Sequence, residues 1–393
     1  MDTKRGGLSR NSGKDCRSAE SPSRRRDGAR GVPGMKILTI VGARPQFVKA
    51  FPVSRRLRER HDELLVHTGQ HYDNELSGVF FEELSIPKPE YELGVGSASH
   101  GRQTGRIMVA LEPVFEEERP DVVLVYGDTN STLAGALVAT KSDTLLAHVE
   151  AGLRSGDTDM PEETNRVLTD HAADALLAPT TEAVGNLRTE NLGDRTYRTG
   201  DVMYDALLWA RDHTEPASVR RDHDLEDGEY VLTTVHRARN TDDVDRLRAI
   251  VEVLVDRPEP VVFPAHPRTV DALADAGELE RLRRACTVVE PVGYLEFVDL
   301  LDNAERVLTD SGGVQKEAFF LDTPCITIRP ETEWPETVDA GWNVLADADP
   351  ECIHAAIDRS FDLADREKPD PYGNGDAAAT VVDVLETIAA EDR

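Results

Sequence analysis

Short apolar runs rich in β-branched residues alternate with longer amphipathic segments along most of the chain. These runs are too short for most helices, and polar or glycine-containing segments bound them. Ten of them stand out: KILTIVG, LLVHTG, VVLVYGD, TLLAHV, ALLAPT, VLTTVH, VVFPAH, TVVEPV, RVLTDS and CITIRP. Strands that alternate with helices form parallel sheets. The pattern therefore predicts an α/β fold with two Rossmann-like, doubly wound parallel-sheet domains facing a cleft.

The boundary between these domains is predicted in a charged stretch near residues 200–228, which contains Gly and Pro and little apolar periodicity. We expect an N-terminal domain over 35–203 and a C-terminal domain over 204–371. Helical periodicity at 376–391 predicts a helix within 372–393 that closes the fold. One weak linker between two domains makes hinge closure the default expectation.

Residues 1–34 are rich in Arg, Ser and Gly and have almost no large apolar side chains, so we expect them to be disordered. A clean strand pattern starts at Met35. We interpret Met35 as the true start of the protein. The alternative is that this basic leader is an interaction arm.

Charge narrows the possible partners. The 393-residue chain has a formal net charge of −29, and removing the +5 of residues 1–34 leaves −34 on the rest. Only six basic residues of that remainder are lysines, a balance that suits a protein kept soluble in concentrated salt and suggests a halophilic host. Nucleic-acid binding is disfavoured, because no basic patch occurs beyond the leader.

Cysteine spacing and hydropathy suggest the compartment. The four cysteines are scattered without a CxxC pair, which argues against a disulfide framework or a zinc site and fits a reduced cytoplasm. No apolar run reaches the roughly 18 residues of a membrane span. We expect neither a metal nor a membrane partner.

Carboxylates follow two of the predicted strands. Glu150 comes directly after TLLAHV, and Asp128 ends VVLVYGD. Open α/β sheets bind ligands outside the carboxyl ends of their strands. With Glu162, Glu163 and Arg166 on a helix that starts at Pro161, these acids could supply both halves of acid/base chemistry beside a cation. The alternative is surface charge or helix capping.

The segment DSGGVQKEAF at 310–319 has the features of a phosphate cradle. Ser311 can cap a helix, while Gly312 and Gly313 let backbone N–H groups approach an anion at the positive end of the helix dipole. Glu317 lies on the same helical face as Gly313, within reach of a ribose diol. An ordinary capped helix would also carry Ser and Gly here.

Two further anion sites are predicted. Arg44 and Lys49 lie beside the start of a helix that Pro45 opens. His236 and His266 each end a strand of the second domain, and the pair fits a contact with a diphosphate. Taken alone, either histidine is equally consistent with a buried, hydrogen-bonded position in the core.

A nicotinamide cofactor is not expected. The nearest sequence to a dinucleotide-binding motif, GVGSAS at 94–99, lacks the third glycine and follows no predicted strand.

Ten segments of the chain occur in the order found in one enzyme family: GARPQFVK, TGQHYD, YGDTNST, HVEAGLRSGD, PEETNR, TGDVMYDAL, VHRARN, FPAHP, DSGGVQKEA and TEWPE. From Met35 to about residue 385 the chain resembles the non-hydrolysing UDP-N-acetylglucosamine 2-epimerases. This resemblance implies a glycosyltransferase-B type fold, a UDP-sugar held between the domains, and a homodimer. It also implies reversible inversion at C2 without a cofactor, by elimination of UDP to a 2-acetamidoglucal and re-addition.

The resemblance also assigns roles to individual residues. As the catalytic group it implies Asp128, Glu150, Glu162, Arg166 and His236. As the UDP-sugar contacts it implies Arg44, Lys49, Gln70, His266, Ser311, Gly312, Gly313 and Glu317. Which carboxylate is the base stays open, because acids that share a site titrate as a coupled set.

Three positions depart from the family pattern. Arg239 and Lys316 each stand where many relatives have Glu. Asp73 stands where members activated by a second UDP-sugar place a glutamine, so we expect substrate activation to be absent.

Four alternatives stay open. The segment TEWPETVDAGWN is similar to that of epimerases acting on UDP-diacetamido-uronic acids. A hydrolysing epimerase, a glycosyltransferase on the same scaffold and a non-catalytic UDP-sugar sensor are the others.

Overall fold

The computed structural model describes residues 34–70, 88–142, 144–157, 159–358 and 367–391, without the side chain of Arg44. The predicted leader, except for its last residue, lies outside this part of the chain, as does Asp73. The chain divides into two compact units, one formed by 1–206 together with 371–393 and the other by 207–370.

The first unit is built on a seven-stranded parallel sheet with strand order β3-β2-β1-β4-β5-β6-β7. Its strands are β1 Lys36–Val41, β2 Asp62–His67, β3 Tyr91–Glu92, β4 Val122–Tyr126, β5 Leu145–Val149, β6 Ala175–Ala178 and β7 Thr196–Arg198. Its helices are α1 Arg44–Leu57, α2 His100–Glu118, α3 Asn130–Ala139, α4 Pro161–Ala172, α5 Thr181–Thr189, part of α6 Val202–His213, and the C-terminal α16 Ala377–Glu391, with a 3₁₀ turn at Gly193–Arg195.

The second unit is built on a six-stranded parallel sheet with strand order β10-β9-β8-β11-β12-β13. Its strands are β8 Val231–Thr234, β9 Val261–Pro264, β10 Thr287–Val289, β11 Arg306–Thr309, β12 Cys325–Thr327 and β13 Asn343–Leu345. Besides the rest of α6, its helices are α7 Ser218–Asp222, α8 Ala238–Thr241, α9 Val244–Val255, α10 Pro267–Asp275, α11 Leu279–Ala285, α12 Tyr294–Asp302, α13 Gly312–Phe320, α14 Pro335–Asp339 and α15 Pro350–Asp358.

The predicted fold class of two Rossmann-like parallel-sheet units is confirmed, and all ten predicted strands are present. Sequence reasoning missed three short strands, β3, β7 and β13. Each lies at the edge of its sheet and is two or three residues long. A segment this short is paired on one side only and carries no apolar run that periodicity can detect.

Burial on both faces explains why the central strands read as continuous apolar runs. In the first unit Leu38 and Val123 are fully buried in a core cluster on one face, and the alternating residues Ile37, Val122 and Leu124 are equally buried on the other. Parallel sheets are covered by helices on both sides, so alternation with polar residues is lost. In the second unit Val231, Leu308 and Ile326 are equally buried.

The boundary between the units lies inside a helix, between residues 206 and 207 of α6. The charged stretch predicted as the boundary therefore holds α6 and α7, and the expectation of one connection is wrong, because the chain returns to the first unit at residue 371. Asp205 accepts hydrogen bonds from the backbone N–H groups of Ala377 at 3.1 Å and Ala378 at 2.9 Å, which caps α16.

One acidic run is only partly exposed. In EEE at 116–118 the first two residues are exposed, but Glu118 is only 7% exposed. It accepts hydrogen bonds from Lys36 and from the hydroxyl of Tyr91.

In the described ranges, no helix combines the length and the apolar character needed to cross a membrane.

Gly200 allows a close approach that no other residue would tolerate. Its φ is +85°, and an added Cβ would lie 3.0 Å from the carbonyl oxygen of Tyr372. We expect Gly200→Ala to lower the free energy of unfolding by about 1–2 kcal/mol, because an L side chain is strained at this φ.

The matched control is Gly185→Ala inside α5, where an added Cβ meets no atom within 4 Å. It should stabilise the protein by up to about 1 kcal/mol, because alanine favours the helix. Urea denaturation measures the stability of both variants. Equal midpoints would contradict the packing described at Gly200.

Candidate active site

The carboxyl ends of β4 and β5 bring two predicted acids together. The strands pair in parallel, with Tyr126 opposite Val149. Beyond them the N–H of Gly127 donates to the carbonyl of Val149 at 3.0 Å. Asp128 and Glu150 therefore leave the sheet at the same edge, as the sequence predicted. Glu150 has a φ of +71°, an uncommon conformation for a residue with a side chain.

Asp128 is half-buried and is paired with a cation. Its Oδ2 lies 2.5 Å from a guanidinium nitrogen of Arg166. Burial raises the pKa of Asp128 above its ordinary value, and the negative charges of Glu150 and Glu162 act in the same direction. Arg166 and Lys49 oppose this rise. The carboxyl is thus shifted toward the range in which it can exchange protons.

Glu150 has its own cation, Lys49 of α1. The Lys49 ammonium contacts Oε2 of Glu150, and the two side chains are only 17% and 14% exposed. Burial alone lowers the pKa of Lys49, but its interactions with Glu150, Asp128 and Asp201 together outweigh burial, and the pKa is raised. Lys49 was predicted to hold phosphate, whereas the structure makes it the counter-ion of a candidate catalytic acid.

The two acids at the start of α4 differ in their surroundings. Glu163 accepts hydrogen bonds from the N–H of Ser155 at 3.0 Å and from its hydroxyl at 2.9 Å. Burial favours the protonated form, but these bonds and Arg166 hold the pKa of Glu163 below its ordinary value. Glu163 therefore holds the loop between β5 and α4, which contains Ser155, against the start of α4. Glu162 is half-buried and close enough to Asp128 to raise its pKa.

The anion site predicted at the first helix is partly occupied by the protein itself. The side-chain oxygen of Gln46 accepts hydrogen bonds from the N–H groups of Gly42 at 2.8 Å and Ala43 at 3.1 Å. Arg44 is the first residue of α1, and its side chain lies outside the described part of the structure. Gln70 is buried, and its side-chain oxygen accepts from the N–H of Ser131 at 2.9 Å.

The segment GVGSAS does follow a strand, contrary to expectation, because β3 precedes it and α2 follows it. Two of its backbone N–H groups donate within the unit. The N–H of Val95 donates to Thr68 and that of Gly96 donates to Gly69, both at 3.0 Å.

In the second unit the strand-end histidines are exposed, so the alternative of a core role is wrong for both. His236 is 47% exposed, and its Nδ1 lies 3.1 Å from Oδ1 of the buried Asp310. His266 caps α10, where its Nδ1 accepts from the N–H of Arg268 at 3.2 Å.

Asp310 organises the loop that carries His236. It accepts hydrogen bonds from the N–H groups of His236 at 3.1 Å and Arg237 at 2.9 Å, and from the side chain of Asn240 at 3.1 Å. Burial favours the protonated acid, but the ring of His236, the N–H of Arg237 and the side chain of Asn240 keep the pKa of Asp310 below its ordinary value. Sequence reasoning assigned Asp310 no role, although its position directly before a capping serine was a usable signal.

The segment predicted to hold phosphate begins α13, and Ser311 caps that helix as predicted. The hydroxyl of Ser311 caps the helix by accepting from the N–H of Val314 at 3.5 Å. The indole N–H of Trp334 donates to the carbonyl of Gly312 at 2.8 Å. A Cβ on Gly312 would lie 3.2 Å from a carboxylate oxygen of Glu333, whereas Gly313 is open.

Glu317 lies one turn further along α13. Burial raises its pKa to about 7, and the positive charge of Lys316 opposes that rise. Lys316 itself lies over the ring of Trp334, 4.3 Å from its centre. This contact gives a structural reason for the departure from the family pattern, because it links Lys316 to TEWPE.

Asn165 was also missed by sequence reasoning. Its amide nitrogen donates to the backbone carbonyl of Asp128 at 2.9 Å. No composition or spacing signal marks an amide on α4 as a partner of a residue that follows β4.

Among the described residues, no cluster of His, Cys, Asp and Glu is suited to hold a metal ion.

Comparison with known proteins gives consistent matches. A family model described as UDP-N-acetylglucosamine 2-epimerase matches residues 55–386. A UDP-N-acetylglucosamine 2-epimerase homolog of Methanococcus maripaludis is 47% identical over 90% of this chain and 100% of its own length. The UDP-2,3-diacetamido-2,3-dideoxy-D-glucuronate 2-epimerase of Pseudomonas aeruginosa is also 47% identical, over 89% of this chain and 99% of its length.

A solved structure shows the same similarity. The UDP-GlcNAc 2-epimerase of Methanocaldococcus jannaschii in complex with UDP-GlcNAc and UDP is 42% identical, covers 90% of this chain and 100% of its own, and has a TM-score of 0.73.

The pairing of Arg166 with Asp128 predicts a measurable titration. Arg166→Met removes a positive charge that favours the ionised carboxyl, so the pKa of Asp128 should rise further above its ordinary value. Arg166→Lys keeps the charge and should cause a smaller rise. Carboxyl ¹³C NMR titration, assigned by the signal lost in Asp128→Asn, measures both. An unchanged pKa in Arg166→Met would show that the pair does not form in solution.

Proposed function

The chain belongs to the UDP-N-acetylglucosamine 2-epimerase family, and we propose that it interconverts UDP-N-acetylglucosamine and UDP-N-acetylmannosamine. One observation carries the proposal. Asp128 and Glu150 lie at adjacent strand ends, and each is paired with a different cation. Inversion of a carbon that carries a hydrogen needs two proton-transfer groups, and this edge of the sheet provides them.

The reaction we propose proceeds by elimination and re-addition. One carboxylate removes the C2 proton while the bond between C1 and the diphosphate oxygen breaks, which leaves a 2-acetamidoglucal and UDP. C2 is then protonated on the opposite face as the diphosphate oxygen adds back to C1. Atoms and charge balance without a redox partner. The step needs one group ionised and another protonated.

The differing environments of the carboxylates support this division of roles. Burial and neighbouring negative charges raise the pKa of Asp128 above its ordinary value, which suits the proton donor, while the Lys49 ammonium in contact with Glu150 suits the carboxylate that accepts the proton. Glu162 is the third candidate, since its charge acts on Asp128. Because these acids interact, their titration belongs to the set.

Residues of the second unit are proposed to bind the nucleotide. Ser311 caps α13, and Gly312 and Gly313 form its first turn, where backbone donors and the helix dipole favour a diphosphate. Glu317 would accept hydrogen bonds from the ribose hydroxyls. The exposed His236 and His266 would contact the diphosphate, with His236 held by Asp310. Arg44 and Gln70 of the first unit complete the proposed contacts.

A second candidate substrate is a UDP-2,3-diacetamido-uronic acid. Its support is the 47% identity to the Pseudomonas aeruginosa enzyme and the contact of Lys316 with Trp334 of TEWPE. Proton NMR with each UDP-sugar in heavy water decides between them, because epimerisation through proton loss places deuterium at C2 of the true substrate. Epimerisation without deuterium at C2 would contradict the elimination mechanism.

Asp128→Asn and Glu150→Gln should abolish turnover while changing the Kd for UDP by less than about 3-fold, because these carboxylates act on the sugar. The matched control is Glu182→Gln, which removes an exposed carboxylate in the first turn of α5. Initial rates and calorimetric UDP titrations measure both effects. Loss of UDP binding in step with turnover would show that the roles are misassigned.

Ser311→Ala should raise KM by roughly 10- to 100-fold, because a hydrogen bond to a charged group contributes about 1.5–3 kcal/mol. Thr180→Ala is the control, since Thr180 caps α5 in the same way, by accepting from the N–H of Ala183 at 3.1 Å. It should lower stability and leave KM unchanged. Equal KM values in both variants would remove Ser311 from the binding site.

A further inference from the structure

His148 is buried within β5, two residues before Glu150, and none of its side chain is exposed. Its Nδ1 lies 2.7 Å from Oδ1 of Asp170, and its Nε2 lies 2.7 Å from the carbonyl oxygen of Gly127. Gly127 directly precedes Asp128. The ring therefore connects α4 to the loop that carries a candidate catalytic acid.

Both partners of this ring are acceptors. A backbone carbonyl has no proton to donate, so Nε2 must carry the hydrogen of that bond. Asp170 is fully buried, and its Oδ2 accepts from the N–H of Gly152 at 3.1 Å and lies 2.8 Å from a guanidinium nitrogen of Arg154. Two donors on Oδ2 favour the ionised carboxylate, which has no proton to give to Nδ1. Nδ1 must then carry a hydrogen as well.

We propose that His148 is a positioning residue that sets the geometry of Asp128 and Glu150 by donating hydrogen bonds from both ring nitrogens. This inference rests on the proposed function. The bond to Gly127 fixes the peptide before Asp128. Through Asp170 and the N–H of Gly152, the same ring fixes the turn that follows Glu150.

The charged side chains around the His148 ring are paired with charges of opposite sign. Arg154 also contacts Glu190 in a two-pronged arrangement, with distances of 2.7 and 2.8 Å. His171 of α4 contacts Glu190 at 3.2 Å and is half exposed. The cationic ring, Asp170, Arg154 and Glu190 together carry no net charge, which makes a doubly protonated ring compatible with its burial.

Small displacements at Gly127 matter because of its neighbours. An added Cβ there would lie 3.0 Å from Oε2 of Glu150 and 3.4 Å from the Lys49 ammonium. The Gly127 backbone therefore packs against the Glu150 and Lys49 pair. A shift of this peptide would move Asp128 and displace that pair at the same time.

Two variants separate the two bonds of the ring. The amide nitrogen of His148→Gln can take the place of Nε2 and keep the bond to Gly127, while that of His148→Asn can take the place of Nδ1 and keep only the bond to Asp170. We expect His148→Asn to lower kcat by roughly 10- to 100-fold with KM and the Kd for UDP within about 3-fold, because misplacement acts on the chemical step. His148→Gln should recover a measurable part of that loss.

His223→Asn, a change at an exposed histidine of the second unit, is the control and should leave kcat unchanged. A merely structural role for His148 would lower thermal stability in both variants without the difference in kcat between them. Wild-type kcat in His148→Asn, or equal losses in both variants, would overturn the proposal.

The protonation state of the His148 ring can be measured directly, without following turnover. ¹⁵N NMR of histidine-labelled protein, at the pH of the activity assay, should show both nitrogens of His148 protonated, assigned by the signal lost in His148→Gln. A ring with one protonated nitrogen would overturn the proposal. If the wild-type enzyme epimerised neither UDP-sugar, the proposed function would fail, whereas the ¹⁵N result would still decide the ring's hydrogen bonds.

Discussion

The parallel pairing of β4 with β5 is the constraint on which the candidate site depends. Its register places Tyr126 opposite Val149, so that Asp128 and Glu150 emerge side by side. The close approach also requires glycine at 127, because a side chain there would crowd the Glu150 carboxylate. A slip of one residue in either strand would carry its carboxylate out of this arrangement.

Local charge compensation follows from that geometry. Two partly buried carboxylates that interact repel each other, which favours protonation of one. The fold supplies Lys49 from α1 to one and Arg166 from α4 to the other, while Glu162 adds a third negative charge. The carboxylates at this edge of the sheet therefore have different partners, and the pKa of Asp128 is raised. Different surroundings for two acids are what a two-proton reaction requires.

Periodicity and turn chemistry were enough to predict both sheets, the C-terminal helix and the carboxylates at strand ends, because each is encoded within a few neighbouring residues. The capping serine of α13 was predicted for the same reason. Partners could not be predicted. Lys49 and Glu150 are 101 positions apart, and Asp310 reaches the His236 loop from 74 positions away. The packing of helices on sheets brings these residues together. The three edge strands also form only where the chain packs beside a sheet, because they carry no apolar pattern of their own.

The two connections between the units have a consequence for synthesis on the ribosome. The second unit, 207–370, is continuous, whereas the first is completed only by 371–393. Ribosomes deliver the chain from its N-terminus, and domains generally fold as units as they emerge. The second unit can therefore complete its fold while the unit with the candidate catalytic acids still lacks α16. Because α16 is translated after the second unit but belongs to the first, its loss would damage the unit whose strands are translated first.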